Sequence, residues 1–167
     1  TAPAVTVAGD GHDEKDPAVV ITDNPERYDI RKQFWTGLLD AARPKLPLFA
    51  NVSPGQHGWI GAGAGKRGLN FNFAVREHDA QVELYIDRGR DADTENKTIF
   101  GELIKHKADI EAALGGQLEW QPLDDRRACR IRKVISLGGW RDEATWPAVH
   151  DAAVDAMARF ERAISTF

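Results

Sequence analysis

The densest group of chemically active side chains in this sequence is a run of five cations within eight residues. They are Arg126, Arg127, Arg130, Arg132 and Lys133. Because alternate side chains of a β-strand point to the same side, this spacing places Arg126, Arg130 and Arg132 on one face of a strand. A row of guanidinium groups on one face can follow a phosphate backbone. The run therefore predicts a nucleic-acid-binding strip.

Two further features would extend such a strip. Lys66 and Arg67 lie in a glycine-rich segment, and Trp120 lies shortly before the basic run. Exposed cations contact phosphates, and an indole can stack on a base. The alternative is a solvated strand whose arginines pair with acids on neighbouring strands, and we favour it because the body of the chain has no net charge. The acids available for such pairs are Glu83, Asp87, Glu119 and Asp124.

The glycine-rich segment also matches a nucleotide-binding spacing. Gly63-x-Gly65-x-x-Gly68 fits G-x-G-x-x-G. That motif binds a pyrophosphate where a strand leads into a helix, since the N-terminal amides of the helix face the phosphates. Here a second strand is predicted after the glycines. The segment therefore indicates a β-hairpin with Lys66 and Arg67 exposed at its tip.

A third group of residues resembles part of a metal-dependent nuclease site. Asp87 ends a predicted strand, and Glu95-x-Lys97 follows it. Such enzymes use carboxylates and a lysine around a divalent cation and the scissile phosphate. The E-x-K pair usually lies on a strand, whereas here it opens a predicted helix, where Glu95 interacts favourably with the helix dipole. Catalysis by these residues is therefore the less favoured interpretation.

Cysteine and histidine are too few and too scattered to predict a metal centre or a nucleophile–base pair. Cys129 is the single cysteine, and the five histidines are spread along the chain. A closed zinc site needs four ligands, so we predict no metal and no cofactor. A lone cysteine forms no internal disulfide and is most often a buried structural thiol, which fits a reducing cytoplasm. These residues favour a cytoplasmic protein without catalytic activity.

The acidic residues are concentrated at the N-terminus. The chain has 26 acids and 22 bases, a net charge of −4. Residues 1–25 contain five acids and one base, so residues 26–167 contain 21 of each. We interpret residues 1–25 as an acidic linker or tail and residues 26–167 as one domain. The start at Thr1 suggests a missing N-terminal partner domain, although removal of a start methionine gives the same first residue. No segment reaches the roughly 20 apolar residues of a membrane span.

Hydrophobic periodicity indicates which elements position these residues. Helical spacing predicts helices after Pro25, from Thr94 to Leu114 and after Pro147. Alternation predicts strands before and after the second helix, the last one from Arg126 to Ile135. The order α-β-β-β-α-β-β-α predicts an α+β fold, in which an antiparallel sheet of about five strands carries three main helices on one face.

Two tryptophans suggest a different function. Trp140 and Trp146 lie near the predicted ends of elements, where rings are often half exposed. Aromatic rings are enriched at protein interfaces. Packing under the loops is the favoured role of these rings. The alternative is a protein–protein interaction module, for example a homodimer, without affinity for nucleic acid.

The order of short motifs resembles one protein family. The motifs are Arg31-x-x-Phe34-Trp35-x-x-Leu38-Leu39, Trp59-Ile60, Val82-Glu83-Leu84-Tyr85-Ile86-Asp87, Ile99-Phe100-x-x-Leu103, Lys107-x-x-Ile110-Glu111, Leu118-Glu119-Trp120, Arg130-Ile131 and Trp146-Pro147. Over about residues 27–167 the chain resembles the bacterial and archaeal domain of unknown function numbered forty-two sixty-eight. The resemblance assigns no catalytic residue.

The resemblance also implies a context. Members often lie at the C-terminus of longer proteins whose N-terminal parts resemble restriction-type nucleases. The first hypothesis is therefore a non-catalytic accessory domain that binds DNA or a partner, such as an N-terminal nuclease-like domain, in a defence-related protein. The second is the interaction module without nucleic-acid binding, and the third is a divergent metal nuclease.

Overall fold

The computed structural model describes residues 25–167, which form a five-stranded sheet and four α-helices. In chain order the elements are α1 (Pro25–Ala42), a 3₁₀ turn (Pro47–Phe49), β1 (Trp59–Gly63), β2 (Leu69–Val75), β3 (Ala80–Ile86), α2 (Asp93–Ile104), α3 (Lys107–Leu114), β4 (Glu119–Gln121), β5 (Cys129–Ile135), a second 3₁₀ turn (Glu143–Thr145) and α4 (Trp146–Ser165). The predicted α+β fold is confirmed. The tail predicted at residues 1–25 lies, except for Pro25, outside the described residues.

The sheet is antiparallel throughout, with the strand order β1-β2-β3-β5-β4. Leu69 pairs with Ile86, which in turn pairs with Cys129. The start of β2, the end of β3 and the start of β5 therefore lie at the same end of the sheet. Consequently the β1–β2, β3–α2 and β4–β5 loops are neighbours, although they are far apart in sequence.

One face of the sheet is apolar and packs on the helices. Alternate side chains of the strands, such as Phe71, Leu84 and Ile131, are buried in one core with residues of all four helices. The ring of Phe71 meets that of Phe160 from α4 edge-on, with 5.7 Å between their centroids. Burial of each such side chain stabilises the fold by about 1.5–3 kcal/mol. The opposite face carries mostly polar side chains, and we call it the polar face.

The last helix, α4, covers the centre of the apolar face. Its inward residues recur at helical spacing and include Val149, Ala153, Met157 and Phe160. This pattern is typical of an amphipathic helix at the surface of a globular domain. None of the described helices is long and apolar enough to cross a membrane.

The helix predicted from Thr94 to Leu114 is in fact two helices. α2 ends at Ile104, α3 begins at Lys107, and His106 between them has φ −105° and ψ 20°. One straight helix of about 21 residues would be about 32 Å long, which exceeds the length of the seven-residue strands beneath it. The break allows α2 to pack on β3 and β5 while α3 packs on α4.

The strand predicted from Arg126 begins later, at Cys129. Leu123 has a left-handed φ of 53°, and the Arg126 N–H donates to its carbonyl at 2.8 Å, so this stretch forms a turn. Arg126 therefore lies in the β4–β5 loop. It does not share the strand face of Arg130 and Arg132, as the alternation had predicted.

Candidate functional site

Three loops meet at the end of the sheet where β1 and β3 finish. We call residues 64–68, 87–92 and 122–128 the basic end. These loops contain six cations and four carboxylates, a local charge of +2 in a chain whose net charge is −4. The cations are Lys66, Arg67, Arg88, Arg90, Arg126 and Arg127. Positive charge therefore exceeds negative charge in these three loops.

The β1–β2 and β3–α2 loops are held together by hydrogen bonds to backbone carbonyls. Arg67 donates from Nη1 to the Arg88 carbonyl at 2.9 Å, and Arg88 donates from Nη1 to the Arg67 carbonyl at 2.7 Å. The Asp87 N–H donates to the Gly68 carbonyl at 2.8 Å. Gly68 has φ +85°, and a Cβ there would lie 2.6 Å from the Arg88 Cα. Glycine at this position thus permits the close approach of the two loops.

Asn96, in the first turn of α2, connects two of the loops. Its side chain is fully buried. Its Oδ1 accepts from the Arg88 N–H at 2.8 Å, and its Nδ2 donates to the Arg127 carbonyl at 3.1 Å. One amide group therefore fixes the β3–α2 loop and the β4–β5 loop relative to α2.

Lys97 also fixes the β4–β5 loop by hydrogen bonds to its backbone. Its Nζ donates to the carbonyls of Pro122, Leu123 and Ala128, the last two at 3.1 Å. All three donors of the ammonium are satisfied by neutral oxygens. The β4–β5 loop is thus folded around a cation that forms no ion pair with a carboxylate of residues 25–167.

Three exposed cations of the basic end have no carboxylate partner. Lys66 and Arg90 form no ion pair within residues 25–167. Arg67 is also exposed, and its hydrogen bond is to a neutral carbonyl. The exposed positive charge is therefore concentrated on the β1–β2 and β3–α2 loops.

The residues considered for a metal nuclease do not converge. Asp87 accepts from the Arg127 Nε at 2.9 Å, and Glu95 pairs with Arg88 at 2.9 Å. Lys97 is directed to the loop carbonyls. Among the described residues, no group of three or more metal-binding side chains could hold an ion. The side chains of Asp87, Glu95 and Lys97 thus connect the loops rather than form one centre.

Arg130 lies on the polar face and is only 4% exposed. It donates from Nε to Gln121 Oε1 at 2.8 Å, and its Nη1 is 3.8 Å from Oε1 of the fully buried Glu83. Burial lowers the pKa of the Arg130 guanidinium, and the Glu83 carboxylate opposes that effect. This cation is thus engaged inside the chain.

Arg132, the next arginine on the polar face, is also paired. It donates from Nη1 to Gln81 Oε1 at 2.7 Å and from Nε to Glu119 Oε1 at 3.0 Å. The predicted pairing of the strand arginines with acidic neighbours is therefore confirmed for Glu83 and Glu119, but the prediction of a solvated strand is wrong, because Arg130 and Glu83 are buried. Pairing neutralises both arginines locally, so the basic run is not a continuous positive strip.

The polar face includes a close contact that requires glycine. Asn72 is buried and donates from Nδ2 to Glu83 Oε2 at 2.9 Å. Its Oδ1 lies so near β1 that a Cβ at Gly61 would be 1.9 Å from it. Gly61 thus leaves space for the amide that orients Glu83.

Trp120, predicted to stack on a base, lies on the apolar side of β4. Its Nε1 donates to Glu111 Oε2 at 3.0 Å, and its ring packs edge-on against Phe100 at 6.2 Å. The same oxygen accepts from the Leu118 N–H at 2.9 Å. The indole therefore connects β4 to α3 and is directed away from the polar face.

The tryptophans predicted at an interface are packed within the chain. Trp140 is 2% exposed. Three guanidinium groups lie 4.7–5.8 Å from its ring centroid, those of Arg27, Arg31 and Arg141. Trp146 is half-buried, donates from Nε1 to the Gly139 carbonyl at 3.1 Å and meets Phe34 edge-on. Both indoles thus stabilise the domain itself.

Two titratable side chains are buried in the core. Burial raises the pKa of the Cys129 thiol, whose Sγ donates to the Asn96 carbonyl at 3.7 Å. His150 is 8% exposed, and burial lowers its pKa, although a hydrogen bond to the Phe34 backbone and the charge of Asp151 oppose the shift. Its Nε2 has no hydrogen-bond partner among the described residues. Both side chains are therefore held in their neutral forms.

The opposite end of the sheet differs from the basic end. We call residues 76–79 and 136–142 the paired end, because each ionisable side chain there contacts one that can carry the opposite charge. Arg76 donates to both carboxylate oxygens of Asp79, at 2.7 and 2.6 Å. The other pairs are Arg141 with Glu77 at 2.5 Å and His78 with Asp142 at 3.1 Å.

The family follows from the match of the whole folded region. Residues 30–167 match the family model described as Domain of unknown function (DUF4268). The chain belongs to the DUF4268 family. The resemblance predicted from the motifs is thereby confirmed. No curated protein and no solved structure matches the chain.

Sequence reasoning missed three residues of the candidate site in this DUF4268 domain. They are Arg88, Arg90 and Asn96. Arg88 and Arg90 follow a predicted strand directly, and an antiparallel pairing of β2 with β3 brings that strand end to the Gly-rich hairpin. The sequence contained this signal. Nothing in the sequence indicated that Asn96 is buried between two loops.

Proposed function

We propose that this DUF4268 domain is a non-catalytic module that binds nucleic acid by contacting phosphates with its basic end. One observation carries the proposal: Lys66, Arg67 and Arg90 are exposed on two interlocked loops without a carboxylate partner in residues 25–167. Lysine and arginine are the main phosphate-binding side chains in protein–nucleic acid complexes.

The hydrogen bonds of the basic end favour this use of its charge. A carboxylate neutralises a cation, whereas a carbonyl satisfies its donors and leaves the full positive charge. Arg67 and Lys97 donate to carbonyls. These bonds help to hold the loops in place without neutralising Arg67 or Lys97, although Arg88 and Arg127 pair with Glu95 and Asp87.

The proposed surface differs in part from the predicted set. It retains Lys66 and Arg67, with Arg126 at its border, and adds Arg90. The roles of the other predicted residues are structural: Arg130 and Arg132 cross-link the polar face, and Trp120 connects β4 to α3. Cations that contact the phosphates of the nucleic acid read no base sequence, so we expect binding to be independent of base sequence.

The resemblance to members that follow nuclease-like regions suggests a role for this binding. The domain would hold a longer, cytoplasmic DNA-processing or defence protein on its substrate. Asp87, Glu95 and Lys97 are engaged in loop contacts, which supports an accessory rather than a catalytic part. The cutting activity of such a protein would then belong to its N-terminal partner domain.

The test is fluorescence anisotropy of a labelled DNA duplex with the wild type and the variant Lys66→Glu/Arg67→Glu/Arg90→Glu. Binding through about three phosphates gives micromolar affinity and a slope of log K against log salt of about −2.7. The variant should bind at least about tenfold more weakly. Circular dichroism and thermal melting check that it folds.

The matched control reverses three exposed cations on the helices, Lys32, Lys107 and Arg162. It changes the net charge by the same amount, so an equal loss in both variants would contradict a local site. Absence of binding by the wild type at about 100 μM and moderate salt would overturn the proposal. Salt-independent self-association in that case would favour the homodimer hypothesis.

A further inference from the structure

We infer that the ligand of the basic end is a nucleic-acid double helix rather than a single strand. The inference rests on the proposed function and specifies its substrate class. It follows from what the three loops contain and from where the aromatic side chains of the domain lie.

The basic end has no ring on which a base could stack. Residues 64–68, 87–92 and 122–128 contain no Phe, Tyr, Trp or His. Proteins that bind single strands combine a positive groove with aromatic side chains, and each stacked base contributes about 1–3 kcal/mol. A surface that has cations but no aromatic ring lacks that contribution.

Aromatic side chains beside the loops are buried or directed elsewhere. Trp120, two residues before the β4–β5 loop, is tied to Glu111 on the apolar side of the sheet. Tyr85, at the end of β3, is buried. Among the described residues the one exposed phenylalanine is Phe167, which stacks on His106 at 4.3 Å, between α2 and α3. None of these rings is available at the basic end.

Without aromatic rings, the cations of the basic end favour a ligand of high charge density. Duplex DNA carries one phosphate charge per about 1.7 Å of its axis, about twice the density of one strand, and releases more counterions per neutralised phosphate. The reciprocal hydrogen bonds between Arg67 and Arg88 fix the two loops. Their cations therefore match a rigid phosphate array better than a flexible strand.

The first experiment is a competition assay with the wild-type chain. A labelled DNA duplex of about 20 base pairs is displaced by increasing amounts of unlabelled duplex DNA, duplex RNA or single-stranded DNA. The concentration of each competitor is expressed per nucleotide. We expect at least about fivefold less duplex than single strand to be needed for half displacement. The better of the two duplexes identifies the source of the helix, DNA or RNA.

A second experiment tests the cause with two matched variants. Asp125 is exposed in the β4–β5 loop. Asp125→Tyr and Asp125→Leu remove the same charge, but only the first adds a ring. Asp125→Tyr should bind single-stranded DNA about fivefold more tightly than Asp125→Leu does, and both should bind duplex equally.

The outcomes separate this inference from the proposed function. If half displacement requires no more single-stranded DNA than duplex DNA, the inference is overturned, whereas the proposed nucleic-acid binding still stands. Equal single-strand affinity of the two Asp125 variants would also contradict it. If the wild type does not bind the labelled duplex at all, the proposed function itself fails.

Discussion

The basic end and the paired end of the sheet contain the same kinds of charged residue but use them differently. At the paired end, arginines meet carboxylates, as Arg76 does with Asp79 and Arg141 with Glu77. At the basic end, Arg67 donates to a backbone carbonyl, and Lys97 of α2 donates to carbonyls of the β4–β5 loop. The comparison teaches that hydrogen-bond satisfaction and charge neutralisation are separate properties. Only the first is needed to order a loop, and an end where some cations, such as Arg67, lack the second remains attractive to anions.

The largest effect should come from the polar face between the two ends. Arg130→Met removes the cation that lies 3.8 Å from the buried Glu83 carboxylate, and breaking such a buried pair costs about 3–5 kcal/mol of unfolding free energy. Urea denaturation measures the loss. Arg132→Met is the matched control and should cost less, because Glu119 is half exposed. Equal losses in the two variants would contradict the burial argument.

Loss of the loop anchor should be the next largest effect. Asn96→Ala removes two hydrogen bonds and leaves the Arg88 N–H and the Arg127 carbonyl without their partner, at a cost of about 2–3 kcal/mol. Hydrogen exchange should show lost protection in the β3–α2 and β4–β5 loops and unchanged protection at the paired end. Uniform loss of protection across the chain would contradict a local anchoring role.

Acid should weaken the paired end through His150. This ring contacts Trp146, which donates to the Gly139 carbonyl at that end. Because burial lowers the His150 pKa in the folded state, the unfolded chain binds the proton more readily. Stability is complete above the unfolded-state pKa of about 6.5 and falls as the pH decreases below it. Thermal melting between about pH 8 and pH 5.5 measures the fall.

His150→Leu provides the control for this pH effect. The variant cannot be protonated at this position, so its melting temperature should depend less on pH over the same range. An identical pH dependence in the two proteins would exclude His150 as the cause.

The smallest effect is expected from a single pair at the paired end. Arg76→Ala removes an exposed bidentate pair with Asp79, and exposed pairs contribute less than about 1 kcal/mol. DNA affinity should not change. A loss of binding comparable to that of the basic-end variant would show that the two ends do not differ in function.

The element order and the sheet were predictable because they depend on local periodicity. Alternation in Leu69–Val75 and Ala80–Ile86 predicts two strands with their apolar side chains on one face, although in the structure all seven residues of Ala80–Ile86 are buried. The pairing of Arg130 and Arg132 with acids was predictable too, since opposite charges on neighbouring strands attract. These properties require only the pattern of residue types along each element.

The features that the sequence did not predict depend on contacts between residues far apart in the chain. The turn that places Arg126 outside β5 is stabilised by Lys97 from α2, and the helix break at His106 depends on packing against α4. The burial of Asn96 depends on the two loops that its side chain joins, which are far apart in sequence. The grouping of Arg90 with Lys66 required the register of the sheet, which periodicity alone does not give.

The most direct test of the central claim is an NMR titration of the ¹⁵N-labelled chain with a short DNA duplex. We predict amide shift changes in residues 64–68 and 87–92, with the paired end at residues 76–79 and 136–142 unchanged. The changes should diminish as salt is added, because phosphate contacts release counterions. Shift changes confined to the paired end, or none at saturating duplex, would contradict the claim that the unneutralised cations form the binding surface.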